Sequence, residues 1–303
     1  MKVSRLPDVE PVRPRPLSPR RVAVGTFDGV HLGHREVIRG ADTVLTFEPH
    51  PTAVIRPGAA PRLLTDPARK AQLIASLGVQ ELVVIPFDAA FAARSAQDFV
   101  DDVLVGALGA GHVSVGENFR FGHKARGDAD LLATDDRFET RVVQLLEIEG
   151  EVVSSSHIRG LVLGGAIEYA GQLLGDPFTL AGVVAHGDER GRELGYPTAN
   201  LVPDPLYVTP AHGVYAARAT THAGEVVPAA VSVGVRPTFV TGRGELIEAY
   251  LLDFSDDLYD SRLEIAFLKR LRGEKRFASV DALVAQMALD VEDARTIYDR
   301  GRT

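Results

Sequence analysis

The chain has no cysteine among its 303 residues, which excludes disulfides and thiolate metal sites. No run of ~18 apolar residues occurs, so no helix is expected to cross a membrane. A basic surface is also missing. The formal net charge is −8 and the sequence pI about 5.6, which argues against a nucleic-acid binder. An anionic small molecule stays open as a ligand if positive groups gather locally. Lysine is scarce, five of the 33 basic residues, a bias that reflects genome composition and not function. The N-terminal stretch MKVSRLPDVEPVRPRPLSPRR carries prolines and arginines without an apolar core, so it reads as a low-complexity arm and not a secretory signal. The chain is expected to be cytoplasmic and to act on small molecules, with no nucleic-acid or membrane partner; homo-oligomer formation is left open.

What is present is ordinary globular composition, 45% hydrophobic and 24% charged, in a chain long enough for two cored domains. Up to about residue 174 short apolar runs alternate with helical patterns: RVAVGTF (21–27), TVLTF (43–47), ELVVIPF (81–87), GHVSVGE (111–117) and TRVVQLLEI (140–148). Asp66, Pro67 and Gly78 punctuate a helix between the second and third runs, and Ser95 with Asp98 starts another. Such alternation predicts an α/β domain, a parallel sheet with helices on both faces. The segment SSSHIRGLVLGGAIEYAGQLLG (154–175) reads as one or two helices, and Asp176-Pro177 marks a boundary between domains 1–175 and 176–303. Beyond it come FTLAGVVAHG, GVYAARATT, VVPAAVSVG, ELIEAYLLDF and RLEIAFLKRL, five strand-like runs with no helix between them, which predict an antiparallel sandwich or barrel. A final helix is predicted from Ser279, with Leu283, Met287, Val291 and Ala294 on one stripe.

The first apolar run leads into GTFDGVHLGH (25–34), which in a parallel sheet lies at the carboxyl edge, where ligands sit. A helix starting there offers unpaired N–H donors to an anion. Gly29 and Gly33 are expected to let a phosphate approach the backbone. His31 and His34 share one face of the first turn and can donate to one phosphate; the plainer alternative is that they only cap and pack. Three more stretches fall at strand exits: TFEPHP (46–51), GENFRFG (116–122) and SSSHIR (154–159).

The H-x-G-H run resembles the signature of the nucleotidylyltransferases. The four stretches in this order resemble the adenylyltransferase module of bacterial bifunctional riboflavin kinase/FAD synthetases, over residues 21–160. The resemblance implies a Rossmann-like fold that joins FMN to the AMP part of ATP, giving FAD and pyrophosphate. It implies that Gly25, Thr26, Phe27, His31 and His34 surround the ATP phosphates, with Ser155, Ser156 and Arg159 clamping the pyrophosphate end. His50 falls at the nucleotide–flavin junction, and Asn118 helps hold the reacting phosphates. Two departures stand out. His157 replaces an arginine common in the family, a titratable charge for a fixed one, and only REVIRGAD separates His34 from the second strand, where the family is usually longer. Altered packing or flavin access is expected from these changes, not lost chemistry.

In ELIEAYLLDF one acid interrupts an apolar strand, and an ionised carboxylate buried without a partner is costly. Either Glu248 points to solvent, or it lines a cavity where its basicity is used. Leu246, Tyr250 and Leu252 share its face, which favours the cavity. Upstream, HGDERGRELGYPTAN (186–200) resembles the flavokinase signature. That resemblance implies a six-stranded barrel with a C-terminal helix, in which Thr198 and Asn200 bind Mg²⁺ and nucleotide phosphates. Hard oxygen ligands suit that ion, and an i, i+2 pair on extended backbone aims both at one point. The resemblance further places Gly187, Arg190, Arg192 and Gly195 in a loop over ATP. It makes Glu248 the base that takes the proton from the terminal ribityl hydroxyl of riboflavin. Ser232 and Val235 stand where the family often has Asn and Thr. The expected whole is one enzyme with two sites, using ATP with Mg²⁺ and having flavin as substrate and product. Its rivals are a nucleotidylyltransferase for another acceptor, a riboflavin kinase with a silent first domain, and a flavin-binding sensor.

Overall fold

A computed structural model describes residues 1–6, 19–186, 194–238 and 242–301. Its contacts divide the chain into two units, Met1–Pro61 with Pro67–Ser155, and Arg62–Asp66 with Ser156–Thr303.

The first unit is built in chain order from β1 (Lys2–Arg5), β2 (Arg20–Val24), α1 (Leu32–Ile38), β3 (Thr43–Glu48), α2 (Pro51–Ile55), α3 (Pro67–Ser76), β4 (Glu81–Pro86), α4 (Ala89–Ala92), α5 (Ala96–Asp98) and β5 (Ala110–Gly116). Two small hairpins, β6 (Arg120–Phe121) with β7 (Gly127–Asp128) and β9 (Glu147–Ile148) with β10 (Glu151–Val152), flank α6 (Ala129–Ala133) and β8 (Glu139–Val143). The sheet runs β1-β4-β3-β2-β5-β8 and every pairing is parallel. Strand residues alternate between its faces. Val22, Val24, Leu45, Val83 and Ile85 join one core, and Ala23, Val44, Leu82 and Val84 join the other. Burial on both faces is why these strands read as unbroken apolar runs.

Two features depart from the sequence reading. The start of the arm is not low-complexity filler, because Lys2–Arg5 adds an edge strand in register with Glu81–Val84. The helix begun by the Ser95/Asp98 capping box passes at once into a π-helix, Phe99–Ala107.

The second unit holds α7 (Ser155–Gly164) from Ser156 onward, then α8 (Ile167–Leu174) and a closed antiparallel barrel. Its strands are β11 (Thr179–Ala185), β12 (Ala199–Leu201), β13 (Gly213–Thr220), β14 (Val226–Thr238), β15 (Gly242–Leu251) and β16 (Arg262–Arg272), ordered β11-β12-β15-β14-β13-β16. Five are the runs read from the sequence. The sixth, β12, is three residues of the PTANL stretch, too short for periodicity to reveal. Arg62–Asp66 also belongs to this unit, since Leu63 bridges Tyr207 and Arg262 pairs Asp66 at 3.0 Å.

The last helix, α9 (Val280–Arg300), is capped by Ser279 and packs on β13, β14 and β16. Leu283, Met287 and Val291 are half-buried and Ala294 buried, the predicted stripe. That face also carries a buried carboxylate: Asp290 is 5% exposed and accepts from Arg272 Nε at 3.0 Å and Nη2 at 2.7 Å. Breaking a fully buried pair costs about 3–5 kcal/mol by stranding its partner. The Arg272 side chain keeps 21% exposure, so Asp290→Ala is expected to cost about 2 kcal/mol, read as a lower melting temperature of the barrel unit.

Candidate active sites

At the exit of β2 the backbone turns through the left-handed region at two residues that carry side chains, Phe27 (φ 48°) and Val30 (φ 43°). Such conformations cost of order 1–3 kcal/mol each and persist only when the surroundings impose them. Here the surroundings are explicit. Phe27 is 1% exposed, and its ring leaves no room at Gly25, where a Cβ would lie 3.0 Å away. The Thr26 carbonyl accepts from Lys70 Nζ at 2.9 Å and Thr46 Oγ1 at 3.1 Å. The Asp28 carbonyl accepts from Ser155 Oγ at 2.9 Å, and the Val30 carbonyl from Arg35 Nε at 3.2 Å. Every second carbonyl of the turn is thus taken by a side chain from elsewhere in the unit.

The turn delivers His31 to the N-cap of α1, where its Nδ1 accepts from the His34 backbone N–H at 3.2 Å. The proton of a neutral His31 ring therefore sits on Nε2, and the ring caps and keeps a donor at once. The His31 and His34 rings stack with centroids 3.5 Å apart, and Phe27 meets His34 edge-on at 5.4 Å. Burial pushes His31 down to about 4. Burial first, then the neighbouring His31 and Lys70, hold His34 well below the usual imidazole range. Both rings are neutral at pH 7. Gly33 has a packing reason as well. A Cβ there would come within 3.2 Å of the His31 ring, so its lack of a side chain makes room for the imidazole.

In the strand order, β3 and β5 flank β2, so His50 and Asn118 sit at the strand exits on either side of this turn. His50 caps α2 through Nδ1, which accepts from Thr52 N at 3.2 Å. Asn118 is exposed in the turn closed by Phe119 N to Gly116 O at 2.9 Å. Ser156 and Arg159 count with the second unit, where Arg159 Nη1 donates to Ser156 Oγ at 3.3 Å. The sequence reading missed two features. Lys70 is one. The other is a chain of rings after β3, β4 and β5: Phe47–Phe87 at 5.8 Å, Phe87–Phe91 at 5.6 Å, Phe91–Phe99 at 6.4 Å and Phe119–Phe121 at 5.5 Å. Phe87, Phe91 and Phe119 remain partly exposed. A signal was present, a phenylalanine closing each of the first three apolar runs.

In the barrel, Ile247, Ala249 and Leu251 fill the interior, so Glu248 faces outward, half-buried beside Tyr250. The expected face is corrected at one end, since Leu252 is fully buried past the strand's end. Antiparallel register places Asn200 directly opposite Glu248 on one side and Ser232 opposite it on the other. Directly opposed residues share a face. Thr198 lies two residues before Asn200, and Tyr196 meets Tyr250 edge-on at 5.3 Å. Oxygen donors from three strands or strand ends therefore converge on one outer face. Gly195 is exposed with φ 84°, while Gly187, Arg190 and Arg192 lie outside the described residues.

The described residues thus form a parallel sheet with two imidazoles at a strand exit, followed by a closed barrel with a carboxylate opposite an amide. Family models agree on the parts: FAD synthetase over residues 14–157 and riboflavin kinase over 174–298. The chain is 38% identical over 290 residues to a bifunctional riboflavin kinase/FMN adenylyltransferase of Listeria monocytogenes, covering 91% of this chain and 92% of that protein. The protein of that name from Escherichia coli K12 is 37% identical over 91% of this chain and 92% of its own length. A crystal structure described as a macrolide-efflux protein from Streptococcus pneumoniae superposes with a TM-score of 0.85 at 31% identity, over 97% of this chain and 99% of that one. Among the described residues no helix is long and apolar enough to cross a membrane. The chain belongs to the bifunctional riboflavin kinase/FMN adenylyltransferase family.

The depressed His31 value carries a stability prediction. Below pH 6.5 the unfolded chain binds a proton on this ring, while the folded chain binds none until about pH 4. Stability is therefore intact above pH 6.5 and falls as the pH drops towards 4. That gap corresponds to about 3 kcal/mol from His31. Denaturant unfolding of the first unit at pH 7 and pH 4.5 is expected to show this drop, and His31→Gln to flatten it.

Proposed function

We propose that the chain carries the two successive steps of flavin cofactor synthesis, with residues 176–303 making FMN and residues 1–175 making FAD. The barrel phosphorylates riboflavin with ATP. Glu248 takes the proton of the terminal ribityl hydroxyl as that oxygen attacks the γ-phosphorus, the bond to the β-phosphate oxygen breaks, and ADP leaves. Thr198 and Asn200 offer hard oxygen donors on the face shared with Glu248, a set that fits Mg²⁺. The ion, when bound, neutralises charge on the β- and γ-phosphates. Gly187, Arg190, Arg192 and Gly195 are assigned to binding this ATP.

In the α/β unit a phosphate oxygen of FMN attacks the α-phosphorus of a second ATP, the bond to the β-phosphate oxygen breaks, and pyrophosphate leaves. His31 and His34 donate N–H bonds to the phosphates as charge builds, with Gly25, Thr26 and Phe27 shaping the turn. Asn118, Ser155, Ser156 and Arg159 hold the remaining phosphate oxygens. His50 lies beside the flavin, whose ring system suits the partly exposed Phe87, Phe91 and Phe119. The setting is cytoplasmic. The observation that best supports the kinase half is the Asn200–Glu248–Ser232 register, and for the other half it is the stacked neutral imidazole pair.

Incubation with riboflavin, ATP and Mg²⁺, followed by chromatography of the flavins, is expected to yield FMN and FAD. FMN alone would mean that His157 or the short α1 has silenced adenylylation. Glu248→Ala is expected to stop FMN formation while supplied FMN still becomes FAD. His31→Ala should do the reverse, slowing adenylylation about 10²–10³-fold. Loss of both activities from either change in a folded chain would overturn the division of labour. Chelation by EDTA should halt phosphorylation, and added Mg²⁺ restore it.

A further inference from the structure

Lys70 is one of only five lysines, and its placement is unusual for that residue. On an amphipathic helix lysine belongs on the wet face. Lys70 instead shares a stripe of α3 with Ala71 and Ile74, the stripe that packs on the sheet. Its ammonium ends at the Thr26 carbonyl, 2.9 Å away, in the field of Asp28 and Glu48. Burying a charge is costly unless partners compensate. Here the partners are two carboxylates and a carbonyl of the turn that carries both histidines.

The geometry points to Lys70 as a positioning residue for adenylyl transfer: through the Thr26 carbonyl it holds the strained turn that presents His31 and His34. Thr46 reaches the same carbonyl from β3, and of these two donors Lys70 is the one that comes from a helix and brings a charge. That charge has a second effect. Among the described residues, the titratable groups facing His34 are His31 from its own cap and Lys70 from α3, with Asp28 and Glu48 beyond the ammonium. A cation near the ring disfavours imidazolium, so Lys70 adds to the lowering of His34 that burial and His31 begin. Removing the charge raises the His34 pKa and moves the acid limb of the reaction to higher pH.

This inference rests on the first unit being the adenylylating half, so the test includes a readout free of that reading. In the full-length chain, Lys70→Met removes donor and charge, Lys70→Gln keeps a donor without charge, and Lys70→Arg keeps both. Adenylylation of FMN is followed against pH, riboflavin phosphorylation in the same samples reports chain integrity, and NMR follows the His34 ring titration. Lys70→Met is expected to lower kcat for adenylylation about 10- to 100-fold with phosphorylation unchanged. Lys70→Gln is expected to lose less rate but to raise both the acid limb and the His34 titration, and Lys70→Arg to restore both. Wild-type adenylylation in the Met variant, or an unmoved His34 titration in the Gln variant, overturns the role of Lys70. A wild-type chain that makes no FAD while His34 still responds to Lys70→Gln would sink the adenylylating reading and leave the Lys70–His34 coupling standing.

Discussion

Between β2 and α1 the chain enters the left-handed region at Phe27 and again at Val30, and local preference favours neither. That turn survives because its carbonyls are claimed by Lys70 and Thr46 at Thr26, Ser155 at Asp28 and Arg35 at Val30. The donors come from α3, β3, the start of α7 and α1, so the turn depends on the rest of its unit being folded. In exchange the unit obtains two imidazoles stacked at 3.5 Å, kept neutral by burial, at the carboxyl edge of a parallel sheet. Strain here is part of how a short helix begins with both rings in register.

The barrel meets its demand by another route. A general base needs an environment that neither drowns nor strands its charge. Glu248 sits on a half-buried outer face, while Ile247 and Ala249 on either side of it fill the interior. Antiparallel pairing brings Asn200 and Ser232 beside it from strands far apart in the chain. Register sets the spacing of these three residues. Closure of the sheet by three residues of β12 brings the Thr198–Asn200 stretch to that face. The Arg272–Asp290 pair fastens α9 to the barrel by bidentate contact.

Much of this was legible in the residues. Continuous apolar runs named the parallel strands because both faces of that sheet are buried, and capping residues such as Ser95 and Ser279 marked helix starts. Motif order placed His31, His50 and Asn118 at strand exits. What escaped notice was short or non-local. Lys2–Arg5 is a strand only because β4 offers an edge to pair with, and β12 only because the barrel must close. The close contact that any side chain at residue 33 would make with the His31 ring also escaped notice. The aromatic chain from Phe47 to Phe121 joins the ends of three strands that no window of sequence contains.

The amino-acid order by itself determined which segments are strands and helices, since periodicity, caps and breakers act within a few residues. It also determined the chemistry on offer: imidazoles, a carboxylate and oxygen donors, with no thiol. Only the tertiary structure decided that Lys70 ends on the Thr26 carbonyl, that two imidazoles stack and stay neutral, and that Glu248 faces Asn200. Those facts depend on burial and on pairing between distant segments. Neither quantity exists until the chain has closed on itself.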